Sequence, residues 1–184
     1  ASLVQLRAAQ RLDPLSLPIS YGVAQAHYYG RQWEEGLRAI DRALEINPDF
    51  SWSRLLRGKL LKGAGRLDEA RAVFAALGDS VELALLDTAT STARIPLLIA
   101  RMPDADKARS QFWIAMLYAQ VGLRDSAFNW LERAYAARQS DLSSILVDPL
   151  IDPLMGDARY ADLVRRVGLT MPAASRTTAA IRKR

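Results

Sequence analysis

The sequence predicts an all-α fold: antiparallel helix pairs stacked one after another and closed by a C-terminal capping helix. Three observations carry that prediction. A 34-residue unit recurs along the chain. Small residues return wherever two paired helices would have to touch. The composition, 184 residues with 50% hydrophobic and 24% charged, suits one globular domain or one short repeat array and excludes a disordered or fibrous chain.

Residues 17–50 give the clearest unit. An apolar helical stretch is broken at Gly30-Arg31-Gln32, a second runs from Trp33 to Ile46, and Asn47-Pro48 stops it. Ala24, Gly36 and Ala43 offer only a methyl or a hydrogen at the crossings, while Val23, Ile40 and Leu44 fill the space around them. Residues 51–78 start the pattern again, with Gly58 in place of Ala24, Ala70 of Gly36 and Phe74 of Ile40; Gly65 opens the turn, and Gly78-Asp79-Ser80 ends the second helix early. Segment 79–107 reads as a degenerate helix pair, in which Pro96 is tolerable only in the first turn of the second helix. Residues 108–141 restore the grid through Ala115, Tyr118, Gly122, Ala127, Leu131 and Ala134. Upstream, Ala9 and Pro14 match Ala43 and Pro48, so 1–16 reads as the second helix of a truncated repeat. In the capping segment 142–169, Asp157 caps a helix that runs to Val167 and Gly168 ends it. Tyr160, Leu163, Val164 and Val167 would cover the apolar end of the stack. Residues 170–184 read as a basic, disordered tail.

Several chemistries are excluded. With no cysteine there is no thiol catalysis, disulfide, iron–sulfur cluster or cysteine-ligated zinc. The one histidine, His27, lies mid-helix and reads as a half-buried, hydrogen-bonded residue. Asp148, Asp152 and Asp157 each precede a proline or start a helix, and read as caps rather than metal ligands. Gly58-Lys59 and Gly63-Ala64-Gly65 complete no phosphate loop. Without a nucleophile paired to a base, the chain is expected to be non-catalytic and to hold no metal or cofactor. The longest uncharged stretch, Pro14 to Gly30, is interrupted by polar residues, so no membrane span is predicted, and no signal-peptide pattern is read. The net charge of +5 is concentrated in 170–184; outside that segment 21 basic residues face 20 acidic ones. Nucleic acid is therefore expected only through a domain outside this chain. Arginine supplies 21 of the 25 basic residues, a bias ascribed to a GC-rich bacterial genome.

The spacing resembles the tetratricopeptide repeat, whose pattern sets a small residue at position 8, a large or aromatic one at 11, alanine at 20, a large apolar one at 24, alanine at 27 and proline at 32. Residues 17–50 and 108–139 match it well, 51–77 fairly, and 79–107 weakly. His27 stands where tyrosine is usual, and Gln139 where a proline ends the helix. The resemblance implies a right-handed α-α superhelix in which the first helix of each repeat lines a concave groove. The positions that point into it include Tyr21, Gln25, Tyr28 and Tyr29, then Trp52, Leu55, Lys59 and Lys62, then Arg109, Phe112 and Met116. Aromatic side chains there would anchor a protein or peptide partner, and Lys59, Lys62 and Arg109 would select an acidic one. Tyr28, Trp52 and Phe112 fit a second role equally well, packing between repeats. The carboxylate clamp of chaperone-binding members is absent, since its positions carry Tyr21, Gln25, Leu56, Arg109 and Trp113.

Val147 to Leu154 followed by Asp157 to Leu169 resembles the closing element of repeat regions in bacterial regulators, where such regions follow a winged-helix, adenylate cyclase or serine/threonine kinase domain. This implies a non-catalytic interaction module of a larger bacterial regulatory protein. The alternative is a sensory or self-association domain that controls an upstream DNA-binding or catalytic domain. The implied compartment is the cytoplasm, with the periplasmic side of an inner-membrane regulator as the alternative.

Overall fold

The Ser2 hydroxyl accepts the Gln5 backbone N–H and the Gln5 side chain accepts that of Ser2, a reciprocal cap that starts α1 (Leu3–Leu12). The computed structural model describes residues 2–170, and every regular element among them is helical. Helices pack mainly on their neighbours in sequence, and the chain divides into two units, residues 1–87 and 88–184.

In the first unit α2 (Leu17–Tyr29) pairs with α3 (Trp33–Ile46), and α4 (Ser51–Gly63) with α5 (Leu67–Leu77). Pro18 lies in the first turn of α2, where a missing N–H costs nothing. The two hairpin turns are equivalent: Arg31 at φ 56° and Gly65 at φ 77°, 34 residues apart, both take the left-handed conformation that reverses the chain. Gly78 closes α5 at φ 66°, and Asp79 then caps α6 (Ser80–Leu86) by accepting the N–H groups of Val81 and Glu82. The crossings are as tight as the small residues allow. A Cβ on Gly36 would lie 2.4 Å from Leu60 Cδ2, and one on Gly58 2.4 Å from Phe74 Cε1. Ala24, Ala43 and Ala70 are fully buried in the same cluster, between Val23, Ile40, Leu56 and Leu61.

The first helices of these two pairs, α2 and α4, touch directly. The second helices stand apart. Residues of α1 and α3 flank a cleft of about 330 Å³ reached from α2 by Val23 and His27, and residues of α3 and α5 flank one of about 400 Å³ reached from α4 by Arg54 and Arg57.

The second unit contains α7 (Ser91–Ala100), α8 (Asp104–Arg109), α9 (Gln111–Gln120), α10 (Arg124–Ala136), two 3-10 turns (Ser140–Ser144 and Pro149–Leu154) and α11 (Ala158–Arg166). Six of the ten residues of α9, including Phe112, Ile114 and Leu117, are buried. A helix apolar on all sides needs neighbours on all sides. Here α7, α10 and the Pro149–Leu154 turn pack against it. Asp157 caps α11 by accepting the Arg159 N–H, and Gly168 ends the segment at φ 83°. Tyr160, Leu163 and Val164 join Leu131, Ala134 and Ile151 in the core of this unit. The Tyr160 hydroxyl donates to the Ile145 carbonyl at 3.1 Å.

Four expectations are corrected. Residues 79–107 are not one helix pair: α6 packs on α5 in the first unit, α7 packs on α9 in the second, and α8 follows. Pro96 is the sixth residue of α7, not in its first turn. It removes the bond to the Thr92 carbonyl, and the helix persists because Ile95 and Ile99 are buried. Asp148 and Asp157 are caps, but Asp152 sits inside the Pro149–Leu154 turn. Finally, α9 starts only at Gln111, after a break at Ser110, so Arg109 ends α8 instead of opening a groove helix. The tail from Met171 onward lies outside the described residues.

Candidate functional site

Lys59 and Lys62 lie one turn apart on α4 and point the same way. Both meet Glu82 in the first turn of α6, with Lys62 Nζ 2.5 Å from one carboxylate oxygen and Lys59 Nζ 3.7 Å from the other. Their side chains keep 20% of their exposure and that of Glu82 keeps 5%. Lys62 also stands 6.0 Å above the ring centre of Phe74. The carboxylate expected from an acidic partner is thus supplied by the chain itself. Sequence reasoning missed Glu82 because seven residues give too little periodicity to fix the register of α6.

The aromatic candidates divide by burial. Tyr28 is buried, its ring 5.7 Å from that of Tyr29 and 5.8 Å from that of Trp33, so it packs between helices. The same Trp33 ring covers Gly63, where a Cβ would come within 2.7 Å of it. Tyr21 is half-buried and meets Phe50 edge-on at 6.3 Å, and burial pushes its phenol pKa up. Gln25, Tyr29 and Leu55 are also half-buried. Trp52, in the first turn of α4, remains 62% exposed.

The second-unit candidates are corrected. Phe112 and Met116 are core residues at 5% and 1% exposure, held there because α9 is enclosed. Arg109 is exposed and paired with Asp106 on its own short helix at 2.6 Å. Gln139, noted only as a departure from proline, has a defined role. Its side-chain oxygen accepts the Phe112 N–H at 3.0 Å and its nitrogen donates to the Ala108 carbonyl at 2.9 Å, which ties the segment after α10 to the end of α8 and the start of α9.

His27 is fully buried, more than the half expected. Its Nδ1 lies 2.7 Å from Gln32 Oε1 and its Nε2 3.4 Å from an Arg7 guanidinium nitrogen. Since arginine can only donate, Nε2 is the acceptor and Nδ1–H donates to Gln32. This histidine forms the inner wall of the cleft between α1 and α3, whose rim carries Arg7, Arg11, Arg38 and Arg42. That arginine cluster was not foreseen, although its signal was available: Arg7 and Arg11 are four residues apart, and so are Arg38 and Arg42.

Among the described residues no group of three histidine, aspartate or glutamate side chains is arranged to hold a metal, and no helix is long and apolar enough to cross a membrane. Compared with known proteins, the chain matches no family model and no curated protein.

Proposed function

We propose that the chain is a non-catalytic interaction module, a tetratricopeptide-like solenoid whose first unit binds a protein or peptide along the face where α2 and α4 meet. The solenoid reading is supported by the unequal packing of the two helix layers within that unit. First helices in contact and second helices parted by clefts bend a stack toward the first-helix side. The observation that carries the binding reading is Trp52: a 62% exposed indole opens α4, two residues after Phe50 packs on Tyr21 of α2. Indole side chains of this kind are the commonest interface anchors, since they bring large area at low entropic cost.

An acidic partner would have to compete with Glu82 for Lys59 and Lys62, so the lysines act in selectivity and Trp52 in affinity. Peptides selected from a displayed library against the parent chain test this reading. Trp52→Ala is expected to weaken the selected peptides by about 2 kcal/mol or more. Equal binding to parent and variant would reject the α2–α4 face.

A further inference from the structure

We infer that the cleft between α1 and α3 is a binding site for a small polyanion with adjacent phosphate groups, held by Arg7, Arg11, Arg38 and Arg42. It stands on the opposite helix layer from the α2–α4 face and does not depend on the reading of that face.

The charge arrangement is locally unfavourable. Arg7 and Arg11 share one face of α1, and Arg38 and Arg42 share one face of α3. Like charges at this spacing weaken a helix, and here two such pairs line the same cleft. Its one acid is Glu35, which lies 3.3 Å from Arg38. Arg11 and Arg42 make no ion pair among the described residues. Glu45 lines an adjoining cleft with both and closes on neither.

The fold does not require these arginines. The two clefts of the first unit are equivalent under the 34-residue repeat, so that Arg38, Ala39 and Arg42 of one correspond to Ala72, Val73 and Ala76 of the other. On the α3 wall of the first cleft arginine stands at 38 and 42 where the α5 wall of the second carries alanine, Arg7 and Arg11 are replaced by Asp41 and Glu45, and the second cleft's own Arg54 and Arg57 come from α4. A bias of base composition toward arginine would not distinguish the two. A local rule broken in one copy and kept in its equivalent marks a site that serves something beyond stability.

The chemistry then selects the ligand. Guanidinium groups present planar forks that pair two-to-two with phosphate oxygens. Four of them against one carboxylate leave an excess of three positive charges around about 330 Å³, the size of a small-molecule site. Adjacent phosphates concentrate matching charge in that space, more than a carboxylate ligand of equal size. The His27 ring, fixed by Gln32, closes the inner end.

Calorimetric titration of the full chain with inorganic tripolyphosphate tests the inference, with citrate as the carboxylate probe. The variant Arg38→Ala/Arg42→Ala installs the residues of the neighbouring repeat, and Arg11→Glu installs its Glu45. Each is expected to weaken tripolyphosphate binding at least about tenfold, while the charge-matched control Arg71→Ala/Arg101→Ala stays within about twofold of the parent. Citrate should bind more weakly than tripolyphosphate. No tripolyphosphate binding by the parent, binding that survives both cleft variants, an equal loss in the control, or tighter binding of citrate would each overturn it.

Discussion

Glu82 accepts a hydrogen bond from Lys62 Nζ at 2.5 Å while Lys59 Nζ stands 3.7 Å from its other oxygen. Two cations of α4 therefore hold one anion of α6. A seven-residue helix is marginal by itself, so this pair, with Asp79 capping the helix and Ala84 buried beneath it, fixes α6 in place.

Glu82→Gln keeps the shape and removes the charge. The expected cost is about 1–3 kcal/mol, because two largely buried ammonium groups lose their counter-charge. Urea denaturation reads that cost, and peptide titration should show acidic peptides binding the variant more tightly than the parent. An unchanged urea midpoint would mean that α6 is held by apolar contacts alone.

Gly58→Ala and Gly22→Ala should part company, although both lie inside helices and both gain about 1 kcal/mol of helix propensity. At position 58 the new methyl meets three ring carbons of the fully buried Phe74 at 2.4, 2.8 and 3.0 Å. Overpacking costs about 1–3 kcal/mol, and contacts this short against a fully buried ring put it at the upper end, so the net change is a loss of up to about 2 kcal/mol. At position 22 the methyl meets only the tip of Leu6, at 3.1 Å. That side chain can give way, and the variant should match or exceed the parent in chemical denaturation. The opposite ranking would show that the α4–α5 crossing is loose.

Tyr160→Phe should cost about 1 kcal/mol, since the buried Ile145 carbonyl loses its donor, and Tyr160→Ala about 3–5 kcal/mol. Ending the chain before Asp157 removes Tyr160, Leu163 and Val164 from the core and should cause aggregation, whereas ending it at Thr170 should leave Tm unchanged. Thermal melts with light scattering check both, and equal tolerance of the two truncations would reject the capping role of α11.

Asp157 gives the stability a specific pH dependence. The Arg159 side chain and backbone N–H hold its carboxyl at about 2, below the ordinary 3.8. A carboxyl lowered on folding contributes fully above its unfolded pKa and loses that contribution as pH falls through the folded one. The Tm gap between parent and Asp157→Asn should therefore be open at neutral pH and narrow from about pH 4 to about pH 2. Because the pair faces solvent, salt should narrow it too. A gap of equal size at both ends of that range would assign the cap to hydrogen-bond geometry rather than charge.

The helices of the first unit were legible in the sequence because the positions that set them are local and periodic. Gly36, Gly58 and Ala43 must be small wherever helices cross, and Gly65 and Gly78 must turn the chain. Segment 79–107 was not legible, since Pro96 argues against the helix that Ile95 and Ile99 secure by burial, a long-range effect. The candidate site was legible only in part. Placing Phe112 and Met116 on a helix did not reveal that most of α9 is buried, and the partner of Lys59 and Lys62 lies 20 or more residues away, on a helix too short to have a readable face.

The 34-residue equivalence of the two clefts separates what this architecture conserves from what it is free to vary. Residues at the crossings are bound to one another by volume, so a change in one demands a matching change in its neighbour. Positions 38 and 42, or 72 and 76, line clefts instead of crossings, so the fold accommodates guanidinium groups in one copy and methyl groups in the other. On the polyanion reading, the two clefts are interchangeable sockets whose preference is rewritten two residues at a time. Transplanting arginine to 72 and 76 would be the engineering form of that statement, a second socket made by copying the first.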